Sequence, residues 1–400
     1  MIIQPKIRGF ICTTAHPVGC AKQVEEQINY VKNQKPLVGG PKRALIIGAS
    51  NGYGLASRIV AAYGGSRAGT IGIFFEKESE NGRTATAGWY NSVAFERQAM
   101  KDGLYVKSFN GDAFSDEIKA QAVEAIKKDL GKIDLIIYSL ASPRRLHPKT
   151  GLLAKSVLKP IQGSYTNLSF DSSANKLETV TLHPANQDEI DQTVSVMGGE
   201  DWEFWIDILE KNNLLEQGVK TVAYSYIGPE VTKSIYRNGT IGRAKDHLEA
   251  TSKKLDERLK KIGGRAFISV NKALVTQSSS AIPFIPLYFI LLKRVLKEKK
   301  LDESCIEQMY RLFADYLYTS KNMVTDANGF IRLDDREMQP DVQRTVNECW
   351  AQLNDETLPK FADLAGYQSD FLGLFGFGHK GVDYNADLDP QCNLPSTVSV

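Results

Sequence analysis

Residues 43–62 constrain this chain more than any other stretch. An apolar run, Ala44-Leu45-Ile46-Ile47, passes into Gly48-Ala49-Ser50-Asn51-Gly52-Tyr53-Gly54 and then into a segment with Leu55, Ile59 and Val60 at helical spacing. The pattern predicts a buried strand, a glycine-dense turn and a helix. A helix that opens straight from such a turn leaves its first N–H groups unpaired and aimed outward, where the helix dipole favours an anion. The glycines fall as G-x-x-x-G-x-G rather than G-x-G-x-x-G, but glycine serves the same ends: Gly48 turns the chain, and Gly52 and Gly54 let the helix start close to a phosphate and to the strand. The stretch reads as a pyrophosphate seat.

The rest of the chain extends this into an α/β fold: a Rossmann-type, doubly wound parallel sheet, short-chain-dehydrogenase-like, with N-terminal, substrate-lid and C-terminal additions. Residues 1–40 precede the first parallel strand and hold a helix over about 22–32. The second strand, over 70–75, ends beside Phe75 on Glu76, near the distance past a glycine loop at which an acidic residue bonds the adenosine ribose. A carboxylate there accepts from a 2′-hydroxyl and repels a 2′-phosphate. Residues 77–95 read as a long functional loop. The third strand, over 105–110, leads to Gly111-Asp112-Ala113, where a carboxylate can meet the adenine amino group; a helix follows over about 116–130.

The fourth strand, over 133–140, is continuously apolar, as a strand buried on both faces should be, and it stops at Leu140-Ala141-Ser142-Pro143 on the nicotinamide side of the crevice. Residues 144–217 read as a hairpin and two helices inserted over that crevice. Strands over 220–227 and 264–271 resume the sheet. Residues 281–292 form an apolar segment too short to span a membrane, read as a buried helix near an apolar ligand. Helices follow to about 320 and over about 335–354, then a glycine-rich aromatic tail. Together these give one elaborated domain: a nucleotide-binding core over 41–143 and 218–280, with 1–40, 144–217 and 281–400 as additions.

Forty-nine basic against 47 acidic residues leave a net charge of +2, so no strong field selects nucleic acid or an anionic membrane, and a small molecule is the expected partner. The opening residues show no secretory leader, which predicts a cytoplasmic protein. Five scattered cysteines argue for reduced thiols. Cys12, His16 and Cys20 stand four apart, but Pro17 and Gly19 spoil helical spacing and no fourth ligand is near, so they read as buried small residues rather than a metal site.

In short-chain dehydrogenases a tyrosine hydroxyl meets the substrate oxygen, while a lysine bonds the nicotinamide ribose and lowers the tyrosine's pKa. Their usual Tyr-x-x-x-Lys is missing here. Tyr226, Tyr236 and Lys245 follow the fifth strand instead, with eight residues between the last two. That spacing puts Tyr236 in the loop before a helix, so the loop must fold back over the cofactor, and Tyr226 can point into the same space.

Tyr-x8-Lys at 236 and 245, the glycine loop at 48–54, Gly-Trp-Tyr-Asn at 88–91, Val-Met-Gly-Gly-Glu-Asp-Trp at 196–202, the N-terminal Arg-Gly-Phe-Ile-Cys-Thr-Thr-Ala-His-Pro-x-Gly-Cys and the tail Leu-Phe-Gly-Phe-Gly together resemble the trans-2-enoyl-CoA reductase family, which includes the large monomeric NADH-dependent enoyl-acyl-carrier-protein reductases. The resemblance covers essentially the whole chain. It implies NADH-dependent reduction of the double bond of a 2-enoyl thioester in fatty acid biosynthesis, with acyl carrier protein or coenzyme A as carrier, by a monomer. By position, Tyr236 would be proton donor or enolate stabiliser, Lys245 would hold cofactor ribose and phosphate, and Tyr226 would contact the thioester. Gly48, Ala49, Ser50, Asn51, Gly52 and Tyr53 would seat the pyrophosphate; Phe75 and Glu76 the adenosine ribose; Asp112 and Ala113 the adenine; Leu140 and Ala141 the nicotinamide side. Leu274, Val275 and Thr276 would close over the cofactor. Arg144, Arg145 and Lys149 stand near the crevice as basic residues for either carrier. The alternatives are a short-chain-type carbonyl or alcohol dehydrogenase, a non-catalytic nucleotide-sensing module and an adenosylmethionine methyltransferase.

Overall fold

The computed structural model describes all residues except 9–10, 172–175, 278–283, 321–322, 397 and 400. Its centre is an eight-stranded, all-parallel sheet. The strands are β1 (Arg43–Ile47), β2 (Gly69–Phe74), β3 (Val106–Asn110), β4 (Ile133–Tyr138), β7 (Leu215–Ser225), β8 (Arg265–Val270), β9 (Ile331–Arg332) and β10 (Val398–Ser399), in the spatial order β9-β8-β7-β4-β1-β2-β3-β10. Strand order reverses between β1 and β4, and the crevice beyond their carboxyl ends is where a doubly wound sheet binds its ligand. Between β4 and β7 stands an antiparallel hairpin, β5 (Tyr165–Asp171) with β6 (Lys176–Leu182).

Both faces of the sheet are covered, which explains the unbroken apolar runs. Along β1 the residues alternate between two cores. Ala44 and Ile46 pack with Val24 and Ile28 of α1 (Pro17–Lys32), Ile59 of α2 (Gly52–Tyr63) and Phe95 of α3 (Ala87–Lys101). Leu45 and Ile47 pack with Ile118 of α4 (Asp116–Ala125), Trp202 and Trp205 of α6 (Glu200–Lys211) and Leu248 and Leu255 of α7 (Thr240–Leu259). Burying each such aliphatic side chain contributes about 1.5–3 kcal/mol. The segment between the hairpin and α6 holds α5 (Gln187–Met197), whose N-terminus is closed by a reciprocal Asn186–Glu189 capping box.

A third core lies off the sheet. Helix α8 (Ile285–Glu298) buries Leu287, Tyr288, Phe289, Ile290 and Leu291 in succession, because the hairpin's Phe170 and α9 (Pro340–Ala351), through Val342 and Val346, surround it. This is the apolar segment expected at 281–292, shifted toward the C-terminus; 281–283 lie outside the described residues. Among the described residues no helix is long and apolar enough to cross a membrane.

Several expectations need correction. Residues 77–95 are not one loop: α3 starts at Ala87, with Trp89, Tyr90 and Val93 buried. The N-terminal helix starts at Pro17 rather than near Lys22, because the His16 ring caps it by accepting from the Gly19 N–H (3.1 Å) and proline suits a first helical position. The helix expected over 335–354 runs only over Pro340–Ala351, and of the residues before it Glu337 is buried while Asp335 is exposed. Strands β9 and β10 and the small antiparallel pair Arg144–Leu146 with Leu153–Lys155 were not expected; runs of two or three residues carry no readable period.

Candidate active site

The glycine loop meets its geometric requirements. Gly48 has φ +88°, and a Cβ there would overlap the Ser139 carbonyl oxygen, so the ends of β1 and β4 approach as only glycine allows. A Cβ at Gly54 would overlap the Gly48 carbonyl, and Gly52 has φ +51°. Helix α2 opens at Asn51 without a side-chain cap, leaving its first N–H groups for an anion. The Tyr53 hydroxyl is committed elsewhere, donating to the Lys272 carbonyl (2.6 Å), so Tyr53 offers a phosphate its backbone alone. Across the crevice, the Thr276 methyl lies 3.8 Å from where a Cβ on Gly52 would stand, so the segment after β8 faces the loop.

The Gly-Trp-Tyr-Asn stretch braces that loop. Asn91 donates to the Ser50 carbonyl (3.3 Å) and the Asn51 side chain (2.8 Å), and Gly88 leaves room for the Glu76 carboxyl. Glu76 in turn accepts from Ser50 Oγ (2.6 Å) and Asn51 Nδ2 (3.2 Å), and Asn110 holds its backbone from both sides. Burial pushes the Glu76 carboxyl upward against these hydrogen bonds. Phe75 beside it is 77% exposed, an aromatic face presented at the strand end. Asp112 caps its own turn through the Phe114 N–H (3.0 Å), while the Ala113 carbonyl accepts from Lys119 and Trp205. Leu140 is half-buried and Ala141 exposed at the end of β4.

Tyr226 and Tyr236 come together: their rings meet edge to face with centroids 5.0 Å apart. The return of the loop depends on Gly239 and Gly242, whose N–H groups both donate to the Tyr236 carbonyl (3.1 and 2.9 Å). A Cβ on Gly242 would overlap the Arg237 carbonyl. Burial raises the Tyr236 phenol above its ordinary range, so it stays protonated at neutral pH. Lys245, on the second turn of α7, donates to the Tyr224 carbonyl (3.3 Å), and burial lowers its ammonium to about 8. Burial thus moves the two in opposite directions, the phenol up and the ammonium down.

One constellation escaped the sequence reading. Glu337 is fully buried; its Oε1 accepts from the Tyr226 (2.9 Å) and Tyr288 (2.8 Å) hydroxyls, and its Oε2 from the Ala273 N–H (2.6 Å). Asp334-Asp335-Arg336-Glu337 reads as a solvated charge run, and only Leu333 and Pro340 on either side hint at a turn into the core. Arg145 corrects the expectation in the other direction. It is 1% exposed, donates to the Ser195 carbonyl (2.7 Å) and Glu200 (2.8 Å), and packs on Phe114 and Phe204, so it cannot meet a carrier. Arg144 and Lys149 remain exposed.

Comparison with known proteins agrees with this geometry. Residues 2–81 match a family model described as the NAD(P)H binding domain of trans-2-enoyl-CoA reductase, residues 83–318 its catalytic region, and residues 325–388 an enoyl reductase FAD binding domain. An enoyl-[acyl-carrier-protein] reductase [NADH] of Flavobacterium psychrophilum is 56% identical over 100% of both chains. A trans-2-enoyl-CoA reductase [NADH] of Ruminiclostridium cellulolyticum is 55% identical over 98% of this chain and 99% of its own. The crystal structure of the Clostridium acetobutulicum trans-2-enoyl-CoA reductase in complex with NADH superposes with a TM-score of 0.95 at 43% identity, covering 98% of each chain.

The dinucleotide suits the crevice: an uncapped helix start, glycines with no room for a Cβ and a facing strap all lie at the switch point. A flavin does not suit residues 325–388. The helices there open at Pro340, Leu358 and Leu364 rather than from a glycine loop, and at Gly376 a Cβ would meet the Cys20 nitrogen and the carbonyl of His16, the N-cap of α1. By its fold, its glycine loop, its paired tyrosines and these matches, the chain belongs to the trans-2-enoyl-CoA reductase family.

Proposed function

We propose that this chain reduces the 2,3 double bond of trans-2-enoyl thioesters with NADH, in fatty acid biosynthesis, and that Tyr236 is the proton donor. The observation that carries the reading is the pair of phenols, 5.0 Å between ring centroids, at the end of the strand whose Tyr224 carbonyl receives the Lys245 ammonium. NADH supplies the hydride when bound. Tyr236, kept protonated by burial, donates where negative charge develops on the thioester oxygen, the kind of preorganised donor worth about 3–4 kcal/mol. Lys245 holds cofactor ribose and phosphate, and Tyr226 lies against the thioester. Gly48 to Tyr53 seat the pyrophosphate through backbone N–H groups; Glu76 with Phe75 takes the adenosine ribose, and Asp112 with Ala113 the adenine. Leu140 and Ala141 border the nicotinamide, and Leu274, Val275 and Thr276 close over it.

Acyl carrier protein and coenzyme A deliver the same phosphopantetheine arm, and exposed Arg144 and Lys149 suit either carrier. We read the chain as a cytoplasmic monomer and as one elaborated domain, because a single sheet draws strands from 43–47 through 331–332 and 398–399. The test is NADH oxidation with crotonyl thioesters on each carrier, beside ketones of similar size. Reduction of the thioester and not the ketones is expected. Ketone reduction alone would make the chain a carbonyl reductase, and NADH binding without turnover of either would make it a sensor.

A further inference from the structure

Glu337 joins three of the elements around the proposed thioester crevice. It lies on the turn between β9 and α9, and its carboxyl receives three donors from three other elements: Tyr226 just past β7, Ala273 just past β8, and Tyr288 on α8. The polarity of these bonds is set by chemistry. The Ala273 N–H can only donate, so Oε2 carries no proton toward it. Tyr288 oxygen accepts from Gln343 Nε2 (3.0 Å), an amide that also donates to the Glu337 carbonyl (2.7 Å), so the Tyr288 proton goes to Oε1. Burial works against an ionised carboxyl here and the three hydrogen bonds favour it; as the acceptor of all three, the carboxylate holds the only hydroxyl proton of Tyr226 in a hydrogen bond.

We propose that Glu337 is a positioning residue: it fixes the Tyr226 hydroxyl as a donor to the protein, so that toward the thioester Tyr226 presents a lone pair, and Tyr236 is the single phenolic donor there. The proposal rests on the reductase reading above and divides the two phenols between roles. It also accounts for a buried carboxyl with no ion pair of its own among the described residues: Lys272, the nearest cation by its influence, instead faces Asp302 (3.4 Å). Such a group is costly unless every lone pair is satisfied, and here the same bonds tie the strand end, the strap over the cofactor and the apolar helix to one point.

The test is a double-mutant cycle of Glu337→Gln and Tyr226→Phe. The amide must aim its oxygen at the Ala273 N–H, so its NH2 faces both Tyr226 and Tyr288; it turns the Tyr226 hydroxyl around, while the lost Tyr288 bond is common to both backgrounds and cancels in the cycle. Three readings are taken: kcat and KM for crotonyl coenzyme A, the dissociation constant of butyryl coenzyme A by calorimetry, and that of NADH by fluorescence. With Tyr226 in place, Glu337→Gln should change kcat and butyryl coenzyme A affinity by about tenfold, with NADH affinity kept; in the Tyr226→Phe background, where only the Tyr288 bond is lost, the change in either should be no more than about twofold. Equal effects in both backgrounds, or parallel loss of NADH affinity, would make Glu337 a structural residue and overturn the proposal. If Glu337→Gln does not yield folded protein, Glu337→Asp, which withdraws the carboxyl from Tyr226, is carried through the same cycle with the same expected non-additivity. Failure of the wild-type enzyme to reduce crotonyl coenzyme A would count against the reductase reading, whereas a wild type that turns over with an additive cycle counts against Glu337 alone.

Discussion

At the scale of single residues, burial keeps both Tyr226 and Tyr236 protonated, and the proposed chemistry turns on where each hydroxyl points. Tyr236→Phe should bind NADH as the wild type does and lose most turnover, about 3 kcal/mol of transition-state stabilisation; unchanged turnover in purified protein would remove Tyr236 from the mechanism. Lys245 supplies a pH dependence. Its ammonium is depressed to about 8, so it is charged below that pH and, in the proposed role, should release a cofactor phosphate as pH rises through it. NADH affinity, followed by fluorescence on either side of pH 8, should therefore fall toward alkaline pH, and Lys245→Met should bind more weakly with a flat profile. Glu76→Ala should narrow the preference for NADH over NADPH, read as the ratio of specificity constants. At this scale the sequence was most legible where a residue type has one use: Gly48 and Gly54 stand where no Cβ fits. It was least legible at Glu337, because a carboxylate in a charged run gives no sign of which way the backbone turns.

Among the elements, type was easier to read than extent. The apolar runs of β1, β4 and β8 and the hairpin at 165–182 stand where periodicity puts them, since pattern reports burial directly. The boundary of α1 moved because capping overrides pattern, a histidine serving as N-cap, while the Gly/Thr-rich stretch gave way to α3 at Ala87 with no side-chain cap. Several of the family-like motifs prove to be packing devices. Gly19 and Gly376 let the N-terminal helix and the tail touch backbone to backbone, and Gly199 donates to His247 while pressing against Thr251. Gly242 is the device nearest the chemistry. Gly242→Ala should dislodge the loop carrying Tyr236, abolishing turnover with a stability loss of about 1–3 kcal/mol by denaturant titration; a fully active variant would show that the loop tolerates another path.

For the molecule as a whole, the insertion and the nucleotide-binding core are joined by a buried ion pair. Lys119 on α4 meets Asp201 on α6 at 2.7 Å, each side chain 2% exposed, and Lys119 also donates to the Ala113 and Phe114 carbonyls beside the proposed adenine site. Breaking one partner of a buried pair strands the other, so Asp201→Ala should cost about 3–5 kcal/mol and loosen NADH binding as well; chemical denaturation and fluorescence titration would check the two effects. This long-range coupling was invisible in the sequence, where the two residues are separated by the fourth strand and most of the insertion. The sheet carries a last consequence. Its two outermost strands, Ile331–Arg332 and Val398–Ser399, both come from beyond residue 330, so on the ribosome the inner strands emerge with bare hydrogen-bonding margins and gain their flanking partners late. Nascent protein halted before that point should be the species most prone to clump and most dependent on chaperones.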